Sequence, residues 1–270
     1  MNIKKYIINR LTRLYVVLIP ALFLSFIFAL VLIYISNTEV QALTIKDFFG
    51  SLFFLQTILT EPFAHNGPLW SLANEFWYYV LFPLMTFVYY NKYRYIAILF
   101  LVGIFILLPI KILLYFIIYL IGVGTFSIKR KLLPIFISFA LFFISLIVAR
   151  LHLIDTLFIS DLFIAISFSL LINSLVFSKK NIFFEKIYKF NKDMAGFSYS
   201  LYLLHMPIVY LFIYILKQNF SFNNLNINNF MIFLLSFFII IFYACFISRF
   251  TEANTNIVRD KIYKIAGIEK

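Results

Sequence analysis

The sequence predicts an all-α, polytopic transmembrane bundle of about eight spans with both termini in the cytoplasm. Three observations predict it. Hydrophobic residues make up 64% of the 270 residues and charged residues 13%, and the mean hydropathy is +0.99, which leaves too little polar surface to coat a water-soluble globule. The apolar residues fall in runs long enough to cross roughly 30 Å of hydrocarbon. The basic residues gather in alternate segments between those runs, as the positive-inside rule requires.

In chain order, the runs at 14–36, 69–90, 93–110, 112–128, 132–149, 157–177, 195–216 and 229–249 read as spans. Pro109 and Lys111 break the third from the fourth, whose joint length of roughly 35 residues is too great for one span. Segment 43–59, LTIKDFFGSLFFLQTIL, is apolar but short, with Lys46 and Asp47 near its start, and reads as an interfacial or re-entrant helix. With the N-terminus inside, the inner segments hold 19 of the 23 basic residues: Lys4, Lys5, Arg10, Arg13, Lys92, Arg94, Lys129, Arg130, Lys131, Lys179, Lys180, Lys186, Lys189, Lys192, Arg249, Arg259, Lys261, Lys264 and Lys270. Lys46, Lys111, Arg150 and Lys217 remain outside.

Residues 1–250 read as one membrane domain and 251–270 as a cytoplasmic tail. The basic start leads into a full-length span without a small-residue cleavage site, so no cleavable signal is expected. The lone cysteine, Cys245, lies inside the last apolar run, which excludes a disulfide framework and a cysteine-based metal centre, and no metal is expected. The net charge of +12 forms no basic stripe with interleaved aromatics, so the expected partner is the lipid bilayer and not nucleic acid. Abundant Ile, Phe, Asn and Lys suggest an AT-rich bacterial gene, hence a multi-pass protein of the inner (plasma) membrane.

Two polar stripes interrupt the apolar runs. In NGPLWSLANEFWYYVLFPLM, Ser71, Glu75, Tyr78 and Phe82 share one helical face, near the outer end of the second span. A carboxylate within a span is a functional candidate; the alternative is a carboxyl hydrogen-bonded to a neighbouring tyrosine. In GFSYSLYLLHMPIVYL, Ser198, Tyr202 and His205 share a face, with His205 in mid-span. Its alternative is a neutral imidazole joining two helices, helped by the backbone carbonyl that Pro207 frees. His65 and His152 read as solvated residues of outer loops.

GPLWSLANEFWYYVLFPL resembles the Trp-Ser-Leu-x-x-Glu-x-x-Tyr signature of the integral-membrane acyltransferase 3 family, which contains polysaccharide O-acetyltransferases, and GFSYSLYLLHMPI resembles that family's Ser-Tyr-Ser-Leu-Tyr-Leu-x-His-x-Pro stretch. NRLTRLYVVLIP is similar to its cytoplasmic Arg-x-x-Arg segment. Near the C-terminus Glu252 fits the family's closing glutamate, but Ala253 and Asn254 replace the Arg-Pro or Lys-Pro that follows it. The family pattern opens with two further spans carrying an arginine and a histidine taken to be catalytic; the present chain starts just before the Arg-x-x-Arg block and carries no counterpart of that histidine.

The resemblance implies an O-acyltransferase that moves an acyl group from cytoplasmic acetyl-CoA, or another acyl-CoA, to a hydroxyl of a cell-surface or lipid-linked glycan. It implies that Arg10 and Arg13 contact the donor. It makes Glu75 and His205 the catalytic candidates, Glu75 as a base or as the group orienting a histidine, His205 as a charge-stabilising or positioning group. Trp70, Ser71, Tyr78 and Tyr202 become candidates for substrate binding. Two other readings compete: a transporter or flippase using Glu75 and His205 as a proton relay, disfavoured because residues 14–128 and 132–249 show no self-similarity, and a non-catalytic, truncated acyltransferase.

Overall fold

The computed structural model describes residues 3–37, 39–90, 92–178, 182–219 and 227–268. Lys179, Lys180 and Lys270 lie outside these, as do the side chains of Lys186 and Lys189. The described residues form helices α1 (Ile3–Ser36), α2 (Ile45–Leu52), α3 (Leu69–Tyr90), α4 (Arg94–Leu107), α5 (Ile110–Ser127), α6 (Ile135–Arg150), α7 (Leu157–Val176), α8 (Ile182–Ala195), α9 (Ser198–Asn219), α10 (Ile227–Ser248) and α11 (Thr255–Ile265). The fold is all-helical, and every apolar run expected to span is a helix. The break between α4 and α5 falls at Pro109, which caps α5.

Among the described residues, five helical segments are long and apolar enough to cross a membrane: α1, α5, α7, α9 and the stretch that contains α10. The helices α4 and α6 are apolar but have 14 and 16 residues, about 21 to 24 Å of rise. By length and composition alone, then, five of the eight expected spans qualify.

The chain divides into two compact units, 1–80 with 188–270, and 81–187. In the second, α7 packs against α5 and α6. The hydroxyls of Ser145 and Ser167 meet at 2.8 Å, small polar residues that let two helices approach closely. Asn173 accepts from the Leu132 amide and donates to the Arg130 carbonyl, tying the entrance of α6 to the end of α7.

The first unit is organised around α1. Leu14, Val17, Leu18, Ala21 and Leu22 are fully buried with Leu203 and Leu204 of α9. Antiparallel to α1, the segment 44–66 descends and returns. Phe48 packs on Phe23, the Tyr15 hydroxyl donates to the Leu52 carbonyl, the Tyr15 ring meets Phe54, and on the way back Phe63 stacks on Phe26. The expected interfacial or re-entrant helix is therefore re-entrant, with only eight residues helical. Thr44 caps it by accepting from the Asp47 amide, while the Asp47 carboxylate accepts from the Thr44 hydroxyl and the Glu61 amide. This accounts for a carboxylate that is 9% exposed. Gly50 is required by close approach, since a Cβ there would sit 2.1 Å from the Thr60 hydroxyl oxygen.

The return of this segment ends at Asn66, which is fully buried. Its amide nitrogen donates to the Ser25 hydroxyl at 3.1 Å and to the Leu203 carbonyl at 2.9 Å. The carbonyl of Leu203 stands four residues before Pro207, which has no N–H to offer it. The sequence expectation that Pro207 frees a carbonyl holds, and the partner is Asn66. A second case, mediated by a tyrosine, lies in α3, where the Tyr6 hydroxyl donates to the Tyr79 carbonyl at 3.1 Å, the carbonyl four residues before Pro83.

This arrangement predicts a coupled pair. Asn66→Ala should destabilise the protein in detergent by about 1–3 kcal/mol, because the Leu203 carbonyl is left buried and unpaired. Pro207→Ala restores a backbone N–H to that carbonyl, so in its background the Asn66→Ala penalty should shrink by about 1 kcal/mol. Unfolding midpoints of the two single variants and the double variant measure the coupling, and simple additivity would show that Asn66 is not compensating for the proline.

Candidate functional site

The arginine end of α1 meets the lower part of α3. The Arg10 guanidinium lies over the Tyr79 ring at 4.5 Å and over the Tyr6 ring at 5.3 Å, held from two sides by its own helix and by α3. The Tyr79 hydroxyl donates to the Glu75 carboxylate one turn earlier in α3. Arg13 is exposed, and among the described residues neither arginine is in an ion pair. A planar guanidinium clasped by aromatic faces keeps its charge and its orientation, the two properties that bidentate recognition of an anion needs.

Tyr199 closes this region from α9. Its hydroxyl donates to the Leu14 carbonyl at 3.1 Å, and Glu75, Arg13, Tyr79 and Glu252 all lie within its electrostatic reach. Glu252 itself sits past the end of α10 and accepts from the Ser200 amide and the Ser200 hydroxyl, each at 2.9 Å. A carboxylate on the Ser200 amide, in the first turn of α9, is placed where the helix dipole favours negative charge. Beyond it, α11 packs on α1, with the Tyr263 hydroxyl donating to the Asn9 side chain at 2.8 Å.

Higher on the same face of α3, one turn from Glu75, the Ser71 hydroxyl and the Tyr202 hydroxyl of α9 meet at 2.5 Å. The Tyr202 ring lies 6.1 Å from that of His205. The Nδ1 atom of His205 is 3.1 Å from the Leu201 carbonyl and 2.9 Å from the Tyr202 carbonyl. Both neighbours are acceptors, so Nδ1 carries the proton of the neutral ring and Nε2 keeps a lone pair. Both of these bonds lie within α9, and among the described residues no hydrogen bond joins His205 to a second helix.

Two expectations change. Glu75 was expected near the outer end of its span, because it lies six residues into α3. Its neighbours place it instead beside the arginine-bearing end of α1: Phe76 stacks on Phe54 at the level of Tyr15, and Tyr79 reaches Arg10. The reason is that α3 does not start at a membrane surface. The re-entrant segment carries the chain inward before α3 begins, and its entry residue Asn66 already stands at Ser25. His65 was expected to be solvated; it is half-buried, its Nε2 accepting from the Gln41 amide at 3.0 Å and its ring edge-on to Tyr210. His152 is exposed, as expected.

Among the remaining candidates, Trp70 is 45% exposed and Tyr202 39%, whereas Tyr78 is 8% exposed. Trp77 is tied by its ring N–H to the Phe54 carbonyl at 3.0 Å, a fixture of the re-entrant turn. The alternative that the sequence offered for Glu75, a hydrogen bond from a neighbouring tyrosine, is seen, and the tyrosine is Tyr79; its link onward to Arg10, and Tyr6 on the other side of that guanidinium, went unread. Tyr79 follows Glu75 by four residues and Tyr6 precedes Arg10 by four, and that spacing was the available signal. Asp161, whose carboxylate accepts from the Tyr115 hydroxyl at 2.5 Å, is a second carboxylate within an apolar helix that was passed over.

A family model described as an acyltransferase domain matches residues 1–249. No curated protein matches the chain, and no solved structure does. The match takes in the arginine pair of α1, the Ser71 and Glu75 face of α3 and the Tyr202 and His205 face of α9. With those residues grouped in one helical unit and the match spanning nearly the whole length, this membrane protein belongs to the acyltransferase 3 family.

Proposed function

We propose that the protein is a membrane-bound O-acyltransferase. It moves an acyl group, acetyl in the first instance, from cytoplasmic acyl-CoA to a hydroxyl of a cell-surface or lipid-linked polysaccharide. It works in the inner membrane of a bacterium, with eight spans and both termini inside. The observation that supports this best is the polar face of α3, which has the aromatic-clasped Arg10 at one end and the Ser71, Tyr202 and His205 group nearer the other.

The separation suits the donor. Arg10 and Arg13 provide planar, permanently charged forks for the phosphates of CoA, and an extended pantetheine arm then carries the thioester away from them. Glu75 acts through Tyr79: its carboxylate holds the hydroxyl, and the ring so fixed holds the Arg10 guanidinium. It is a positioning residue for the donor. His205 has a free Nε2 lone pair and takes the proton of the acceptor hydroxyl. The oxygen attacks the thioester carbonyl, the C–O bond forms as the C–S bond breaks, and the imidazolium returns its proton to the departing thiolate. Ser71, Tyr202, Tyr78 and Trp70 line the approach of the acceptor.

Each assignment has its measurement. Replacing Arg10 and Arg13 together with alanine should weaken acyl-CoA binding by more than about 1.5 kcal/mol, and the double lysine variant should recover only part of it; equal binding in the alanine variant would leave the arginines a topological role. His205→Gln should lower kcat about 100-fold or more with little change in KM for acyl-CoA. Glu75→Gln and Tyr79→Phe should do the reverse, raising KM for the donor, and their effects should not add because they act in series. A kcat-only loss in Glu75→Gln would return the base role to that carboxylate.

The topology is tested by thiol labelling of intact cells. A cysteine at His152, exposed between α6 and α7, should react with an impermeant reagent, and one at Arg130, exposed before α6, should not. Reaction at Arg130 would rule out the eight-span arrangement.

A further inference from the structure

At the other end of α1 a cavity of about 200 Å³ opens between α1, residues 39–40 and 64–65, and α9. Its polar groups are Ser25, Glu39, His65 and Tyr210, and Phe28 adds an aromatic wall. No part of the donor region lines it. The Nε2 of His65 is occupied by the Gln41 amide, so in the neutral ring Nδ1 bears the proton and can only donate. Neither that N–H, nor the Tyr210 hydroxyl, nor the Glu39 carboxylate has a hydrogen-bond partner among the described residues.

The wall that presents His65 is built with backbone strain. Ala64 and His65 are consecutive non-glycine residues with φ of 51° and 56°, held by the bond from the Ala64 amide to the Ala42 carbonyl at 2.9 Å. Left-handed backbone at two adjacent side-chain-bearing residues persists only where the surroundings over-determine it. Here they are fixed by Asn66, the next residue, whose bond to Ser25 sets the floor of the same cavity. Helical geometry puts Ser25 about 16 Å along α1 from Leu14, the residue that follows Arg13.

We propose that this cavity is a binding subsite for a neutral, hydroxyl-rich ring, a sugar unit of the acceptor next to the one that is acylated. The name acceptor rests on the acyltransferase reading; the binding does not. The size suits one ring and is smaller than the 300–1,000 Å³ of drug-sized sites. One carboxylate accepts from hydroxyls, one imidazole N–H and one phenol donate to ring oxygens, and the Tyr210 and Phe28 rings supply apolar faces. Because no cation among the described residues pairs with the Glu39 carboxylate, the subsite discriminates against acidic sugars. Glu39 is thus a specificity-determining residue and His65 an acceptor-binding one.

Saturation-transfer NMR on the detergent-solubilised full chain, with methyl α-glucopyranoside and glucuronate as probes, tests this. The wild type should bind the glucoside in preference to glucuronate. His65→Gln and Tyr210→Phe should each weaken the glucoside about 5-fold, the scale of one neutral hydrogen bond. Glu39→Gln, which replaces a charged acceptor by a neutral one, should weaken the glucoside about 5-fold and leave glucuronate no weaker, so that the preference for the neutral sugar falls about 5-fold. Acyl-CoA binding, which depends on Arg10 and Arg13, should be unchanged in all three. No glucoside binding by the wild type, equal binding of both probes, or glucoside affinity unmoved by His65→Gln and Tyr210→Phe together would each overturn the proposal. Sugar binding with these dependences in a protein that transfers no acyl group would retain the subsite and reject the acyltransferase reading.

Discussion

One buried amide sets the geometry of the first unit. Asn66 gives its two N–H groups to Ser25 of α1 and to the Leu203 carbonyl of α9, the one that Pro207 deprives of its helical partner. In a membrane interior no water can satisfy such a carbonyl, so a proline within a span requires a donor from elsewhere. A single side chain at the mouth of α3 thereby fixes the depth at which α3 starts, the height of α9 beside α1, and the floor of the cavity below His65. An isosteric apolar residue would fill the space and leave the carbonyl unpaired.

The depth of α3 has the largest effect on the chemistry. Counted from the sequence, Glu75 is close to an outer surface; measured against α1, it is beside the arginines. The difference comes from the turn at Leu52 to Thr60, where the chain leaves α2, makes left-handed steps at Phe54 and Thr57, and climbs again to Asn66. Phe54 is fully buried between Tyr15 and Phe76 and accepts from Trp77. With that turn in place the carboxylate and the guanidinium belong to one group, with a tyrosine between them.

The helices were legible in the sequence because length, apolarity and the distribution of lysine and arginine report on the bilayer directly. The boundary at Pro109 followed from the same reasoning, and 43–59 was recognised as too short to span, with interfacial and re-entrant courses both left open. The relative depth of elements was not legible: hydropathy assigns each run its own pair of interfaces, and nothing in LTIKDFFGSLFFLQTIL states that α3 begins where Ser25 stands. The pairing of Ser71 with Tyr202 was half legible, since both lay on recognised polar faces, but their mutual approach depends on how α3 and α9 pack. His65 was misread because its burial arises from residues far away in sequence, Tyr210 above all.

Two long-range hydrogen bonds also constrain the order in which the molecule can be completed. Asn66 must wait for a partner 137 residues further along the chain, and Asn9 for one 254 residues further. Helices that enter a bilayer one after another therefore leave α1 with an open flank and the Asn66 amide with one unmet donor until α9 arrives, and the arginine end of α1 stays uncovered until α11 folds onto it. Long-range closure of this kind is the slow part of assembly. During synthesis the first unit stays a half-built enclosure until α9 and α11, far along the chain, have emerged to supply its remaining walls.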